Sequence, residues 1–214
     1  MADVVAARLL DMLMQANRLK TTPRTGWFQR GVPSPESVAD HSHGVALIAL
    51  ALLGSVPEKL DRAKVLAMAI AHDLAESVTG DLSLGASRLL PPGAKMAAES
   101  AALDELLAGI GFAGEWMDLW AEFEAQATPE ARLVRDADRL DLLATALSYE
   151  LSTGTSCLEE FWRFAPESGF TYDVSRELVR GLQERRHEAV CGHARRHRPR
   201  RQYGTARCGL RRRR

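Results

Sequence analysis

The sequence predicts an all-α fold, and three observations carry that expectation. Apolar residues recur at helical spacing along most of the chain, and no convincing strand-like alternation interrupts them. Residues that start and stop helices fall between the apolar segments: Ser34, Asp61 and Pro129 at starts, Gly54, Gly80 and Gly154 at ends. At 214 residues, 46% hydrophobic and 26% charged, the chain suits one sizeable core and has an ordinary globular composition.

Taken in order, residues 3–19 place Val4, Val5, Leu9, Leu10, Met12, Leu13 and Ala16 largely along one side of a helix. Asp3 and Asp11 within that pattern make it a poor signal peptide. "TTPRTGW" ends this helix, because Pro23 and Gly26 do not continue it. A second helix is expected from "SPES", with Ser34 as cap, Pro35 in the first helical position and Glu36 complementing the dipole, ending at Gly54. The third begins after Asp61 and carries "AKVLAMAIAHDLAESV" up to Gly80. "LLPPGAK" reads as a loop, followed by a helix over 94–109 and, after "GFAG", a fifth ending near Thr128. Pro129 opens the long sixth helix, "PEARLVRDADRLDLLATALSYEL", with Gly154 beyond its end. Shorter helices are expected at 156–164 and 173–186, and residues 1–186 form one domain with no internal repeat or linker.

The net charge of zero conceals a split. Residues 187–214 hold ten arginines and one acid, so this segment is +9 and the rest of the chain −9. The segment lacks Ile, Phe, Met and Trp, so 187–214 is expected to be a disordered basic tail or a non-native extension. Its charge suits nucleic acid, although Tyr203 is its one stacking residue, so any such binding is expected through the tail alone. Cys191, His193, His197 and Cys208 match no common zinc-finger spacing. With Cys157 the three cysteines form no CxxC and leave an odd count, which fits a reducing cytoplasm. The longest uncharged stretch, Ser42 to Pro57, is too short to span a bilayer, so no membrane association is expected.

A plain helical core does not explain His41, the pair His72-Asp73, Glu76, Asp81, or the acids Asp136, Asp138 and Asp141. His72 follows the apolar run "VLAMAIA" and is expected to be buried. A buried imidazole beside a buried carboxylate is costly unless both are paired or bind a cation. His and Asp together suit Mn, Co, Ni, Fe or Zn. Glu76, four residues after His72, is expected on the same helical face, within reach of a metal-bound water. Each residue also has a plainer reading. A His-Asp dipeptide arises by chance among six histidines, His41 is satisfied by a nearby carbonyl, and Asp138 shares a solvated face with Arg135 and Arg139. Asp40 and Ser42 read as structural, and His43, turned to a different face from His41, as a packing or capping residue.

Together, "PRTGW", "ESVADHS", "AHDLAESVTGDL" and "VRDADRLD" resemble the HD-domain metal-dependent phosphohydrolases, and within them the 5′-deoxynucleotidase branch. The resemblance covers about residues 8–186 in order, spacing and flanking residues. It implies a single HD-domain helical bundle in which His41, His72, Asp73 and Asp138 bind one divalent metal. It also implies that Glu76 handles the attacking water, that Asp81 helps hold a nucleotide substrate, and that the protein is a homodimer. The "RTGW" loop would approach the substrate, Trp27 crowding the sugar and an arginine meeting the phosphate. Bacterial members carry that arginine directly before the tryptophan; this chain has Gly26 there, and Arg24 two positions earlier. The implied reaction is hydrolysis of deoxyribonucleoside 5′-monophosphates. Because no P-loop is visible, phosphate recognition would rest on the metal and cationic side chains. The alternatives are another nucleotide at the same site, a dNTP or a cyclic nucleotide, and a nucleic-acid-binding regulator with a vestigial site. Asp141 rivals Asp138 as fourth ligand, while Asp136 is expected to point elsewhere and tolerate substitution.

Overall fold

Helix follows helix through the computed structural model, which describes residues 2–153 and 158–196, with side chains over 4–153 and 158–189. In chain order the elements are α1 (Ala2–Ala16), α2 (Thr25–Gln29), α3 (Val38–Leu53), α4 (Arg62–Ala71), α5 (Glu76–Thr79) and α6 (Leu84–Ser87). They continue as α7 (Ala94–Leu106), α8 (Ala113–Ala125), α9 (Pro129–Thr153), α10 (Glu159–Phe164) and α11 (Asp173–Arg196). Among the described residues there is no strand, only an isolated bridge between Pro23 and Ser37. No described helix is long and apolar enough to cross a membrane.

The centre is the packing of α3, α4 and α9 on one another. Val38, His41, Ser42, Val45, Ala49 and Leu52 are the buried residues of α3, spaced three and four apart along one stripe. His41 is therefore buried by its register. Burying Val38, Val45 and Leu52 contributes about 1.5–3 kcal/mol each, which outweighs the cost of enclosing one hydrogen-bonded imidazole. On α4 the matching stripe is Val65, Met68 and Ala69, and on α9 it includes Leu133, Val134, Ala137 and Leu140. Leu19, Val38, Leu74, Ala75, Leu103 and Trp120 form a second cluster.

Four local expectations change. The second helix starts at the N-cap Ser37, not at Ser34. Arg24 N donates to Glu36 O and Val38 N to Thr22 O, so residues 36–38 stay extended against 22–24 until Ser37 and Asp40 close a capping box. A short helical turn, α2, forms inside the expected break at "RTGW". The third helix is not continuous to Gly80. It stops at Ala71, and Leu74, Glu76 and Ser77 donate to carbonyls three residues back. Glu76 thus does not lie one α-helical turn above His72; the three-residue period instead stacks it over Asp73. Finally, α11 runs to Arg196, ten residues past the boundary expected at 186. Ala189, Ala194 and Arg195 are good helix formers, and no proline intervenes before Pro199. Residues 197–214, and the Cys191, His193, His197 and Cys208 side chains, lie outside the described residues, as does Cys157.

Candidate metal centre

Three helices deliver the expected ligands to one place. His41 comes from the second turn of α3, His72 caps the end of α4 with Asp73 beside it, and Asp138 projects from α9. Donor atoms of His41, His72 and Asp73 lie within 4.8 Å of one another. Asp73 Oδ2 is 3.6 Å from His41 Nε2 and 3.3 Å from His72 Nε2, and Asp138 Oδ1 is 3.3 Å from His41 Nε2.

The other ring nitrogens show which atoms are free to bind. His72 Nδ1 donates to Ala69 O at 2.9 Å, and a carbonyl only accepts, so that nitrogen carries the proton. His41 Nδ1 lies 2.7 Å from Asp141 Oδ2. Both Nε2 atoms are buried with no hydrogen-bond partner. Two orphaned imidazole nitrogens converging on a carboxylate are a costly arrangement unless a cation satisfies them. The residues present fit a divalent ion of the borderline class.

The charges agree. Burial and Arg24 would each lower the His41 pKa, yet Asp138 and Asp141 push it up to about 10. The surroundings therefore demand positive charge at this point. Burial would raise Asp138 and Asp73, but the histidines and neighbouring cations hold both carboxyls well below their ordinary value. Glu76 behaves oppositely: burial, then the nearby Asp73 charge, push its carboxyl up to about 9. Its Oε2 is buried, unpartnered, and 3.9 Å from Arg24 Nη1.

A cleft opens from this centre, walled by Arg24, Trp27, Asp81, Lys95, Arg135 and Arg139 among others. Asp81 accepts from Thr25 N at 2.6 Å and from Arg24 Nη1 at 3.1 Å, so it holds the "RTGW" loop in place. Arg24 also reaches Asp73 at 3.3 Å. Trp27 is 1% exposed, stacked on Phe161 and donating from Nε1 to Glu36 at 2.8 Å. It anchors the loop and forms part of the cleft wall.

The plainer reading of Asp138, on a solvated face with Arg135 and Arg139, finds no support in this setting. Arg135 lies over the Phe123 ring at 4.1 Å and donates to Asp138 at 3.3 Å, so it is a wall of the cleft rather than a solvated charge. The legible signal was the spacing of Arg135, Asp138 and Arg139, three and four apart on one helical face. Lys95, paired with Glu99 at 2.9 Å, carried no such signal. Asp138 and Asp141 fall on opposite nitrogens of His41, which separates the two rivals. Asp136 points away as expected, but it is 1% exposed and accepts from Thr171 N and Tyr172 N, so substitution there is expected to cost stability. Asp40 and Ser42 are structural, bonding Ser37 and Val38 O, whereas His43 is exposed.

Comparison with known proteins matches residues 16–164 to the family described as HD domain. The 5′-deoxynucleotidase HDDC2 of Xenopus laevis is 32% identical over 87% of this chain and 92% of its own length. The 5′-deoxynucleotidase HDDC2 of Dictyostelium discoideum is 35% identical over 66% of this chain and 77% of its own. Among solved structures, a conserved hypothetical protein of Pyrococcus furiosus superposes with a TM-score of 0.70 at 39% identity, covering 83% of this chain and 99% of that one.

Proposed function

The chain belongs to the HD-domain family, and from that premise we propose that it is a divalent-metal-dependent 5′-deoxynucleotidase. It would hydrolyse deoxyribonucleoside 5′-monophosphates to deoxynucleoside and phosphate. The observation that carries this reading is the pair of unpartnered Nε2 atoms beside Asp73, at the end of a cleft lined with cations. Relatives named 5′-deoxynucleotidase along most of the chain support the substrate class. The unbroken order of "HDLAESVTGDL" and "RDADRLD" argues against a vestigial site.

In this proposal His41, His72, Asp73 and Asp138 hold the ion, which when bound supplies Lewis acidity to a phosphoryl oxygen and acidifies water. Glu76, whose Oε2 is buried with no hydrogen-bond partner, orients the attacking water and, in its ionised form, takes its proton. Water oxygen bonds to phosphorus, the bond from phosphorus to the 5′ oxygen breaks, and the departing oxygen takes up the proton that Glu76 accepted from the water. Arg24, Lys95 and Arg135 offset the charge on the phosphoryl oxygens. Asp81 holds Arg24 and Thr25 and so orders the loop that meets the substrate, while the Trp27 wall crowds the sugar. The motif resemblance extends the reading to a homodimer, and the cysteine usage to the cytoplasm.

The test is a hydrolysis screen that resolves nucleoside, nucleotide, phosphate and polyphosphate products by chromatography, over deoxy- and ribonucleoside monophosphates, dNTPs and cyclic nucleotides, with several divalent metals added back after chelation. Deoxy monophosphates should be preferred, and His72→Ala and Asp73→Ala should lose both metal and turnover, because each leaves buried charge unpaired. Metal content unchanged in both variants overturns the site. Preferential release from ribonucleotides or triphosphates overturns the substrate.

A further inference from the structure

We propose that Asp141 is a positioning residue that sets His41 for metal binding, and that Gly44 is the notch that admits it. The inference rests on the metal reading above and adds two residues that lie outside the ligand set.

The two histidines of the centre are held in different ways. His72 is fixed by its own helix, through Ala69 O at 2.9 Å. His41 is fixed from another helix: Asp141 Oδ2 on α9 lies 2.7 Å from its Nδ1, both residues being buried, at 8% and 1% exposure. A carboxylate accepting the Nδ1 proton holds one tautomer, turns the Nε2 lone pair toward Asp73 and Asp138, and makes the imidazole a more basic ligand. A carbonyl gives the orientation with less of the basicity.

Gly44 makes this contact possible. It lies three residues after His41 inside α3, where glycine is an unfavourable choice. Its φ is not among the positive values in the chain, so the backbone does not demand it. Space does. A Cβ there would sit 2.1 Å from Asp141 Oδ1 and 2.8 Å from its Cγ. The end of a flexible side chain escapes such a clash only by moving, and the Asp141 carboxylate moves by releasing His41.

The pair predicts a thermodynamic coupling that a generic packing role lacks. Full-length protein stripped by chelation is titrated with Co²⁺ against a chromophoric competitor, and the visible Co²⁺ spectrum is recorded at saturation. Asp141→Ala should weaken Co²⁺ binding by about 10–100-fold, the usual effect of losing such a partner. Asp141→Asn keeps an acceptor without the charge and should recover part of that loss. Gly44→Ala should weaken binding comparably in the wild type, and add nothing in the Asp141→Ala background. The Co²⁺ spectrum should keep its shape in every variant, because the ligand set is the same. Unchanged affinity in Asp141→Ala overturns the proposal, as does an equal Gly44→Ala penalty in both backgrounds. An altered spectrum makes Asp141 a ligand and overturns it too. If Asp141→Ala does not fold by circular dichroism, the single variants Asp141→Asn and Gly44→Ala carry the test, and unchanged Co²⁺ affinity in both overturns the proposal. Wild type that binds no Co²⁺ overturns the metal reading itself. Wild type that binds it, with His72→Ala losing it and Asp141→Ala keeping it, overturns the positioning role alone.

Discussion

Asp136→Ala should unfold the protein more easily without touching the metal. The carboxylate is 1% exposed and accepts from Thr171 N at 2.9 and 3.1 Å and from Tyr172 N at 3.0 Å, just before α11 begins. Removing it leaves the buried Tyr172 N–H unpaired, at about 1–3 kcal/mol, and removes a charge-assisted bond to the more exposed Thr171. Together the loss is about 3 kcal/mol, a large share of a typical 5–15 kcal/mol stability. Urea unfolding should show the midpoint falling by about 1 M or more with the slope m unchanged. Asp136→Asn, which keeps one acceptor oxygen, should lose less. Metal content and turnover well below the transition should match wild type in both. An unmoved midpoint in Asp136→Ala refutes its role in anchoring residues 171–172, and loss of metal in a folded variant refutes its separation from the centre.

Three further outcomes are expected. Glu76→Gln should keep fold and metal, while single-turnover hydrolysis falls by roughly 10²–10⁴-fold, the range for a lost general base; full activity would remove Glu76 from the chemistry. Trp27→Ala should cost about 3–5 kcal/mol in urea unfolding, because the ring is buried against Phe161 and Tyr149; a loss below 1 kcal/mol would make it a surface element of the cleft. Lys64 bridges α4 to Glu122 on α8 at 2.7 Å; burial raises the Glu122 carboxyl, but the hydrogen bonds from Lys64 and Thr128 and the Lys64 charge together hold it below its usual value. A depressed carboxyl stabilises the fold above its unfolded pKa, about 4.3, and loses that contribution as pH falls through the folded value. The thermal-stability gap between wild type and Lys64→Met, below about 1 kcal/mol at pH 7, should therefore close between about pH 5 and pH 3; a gap constant with pH would assign it to packing.

The boundary between legible and illegible features follows the range of the interactions. Helices α3 and α9 were readable because apolar spacing and capping residues act within a few positions, and Asp61 caps α4 as expected through Ala63 N and Lys64 N. The start of α3 was misread because the pairing of Arg24 with Glu36 is not local in sequence. The break after Ala71 was missed because "AHDLAES" contains neither glycine nor proline, the residues that break a helix outright.

The residue types and order of the centre were determined by the sequence alone. His41, His72, Asp73 and Asp138 stand within motifs that resemble those of the HD-domain family, and a buried His72-Asp73 pair already called for a cation or a partner. Which carboxylate meets which nitrogen was decided only by tertiary structure. Asp138 and Asp141 are one turn apart on α9 and look equivalent along the chain; the way α9 lies against α3 sends one to Nε2 of His41 and the other to Nδ1. That contact joins residues 100 positions apart, and it forms because Gly44 leaves the volume for it. Shape complementarity between distant segments has no local signature, so it exists only once the helices have packed.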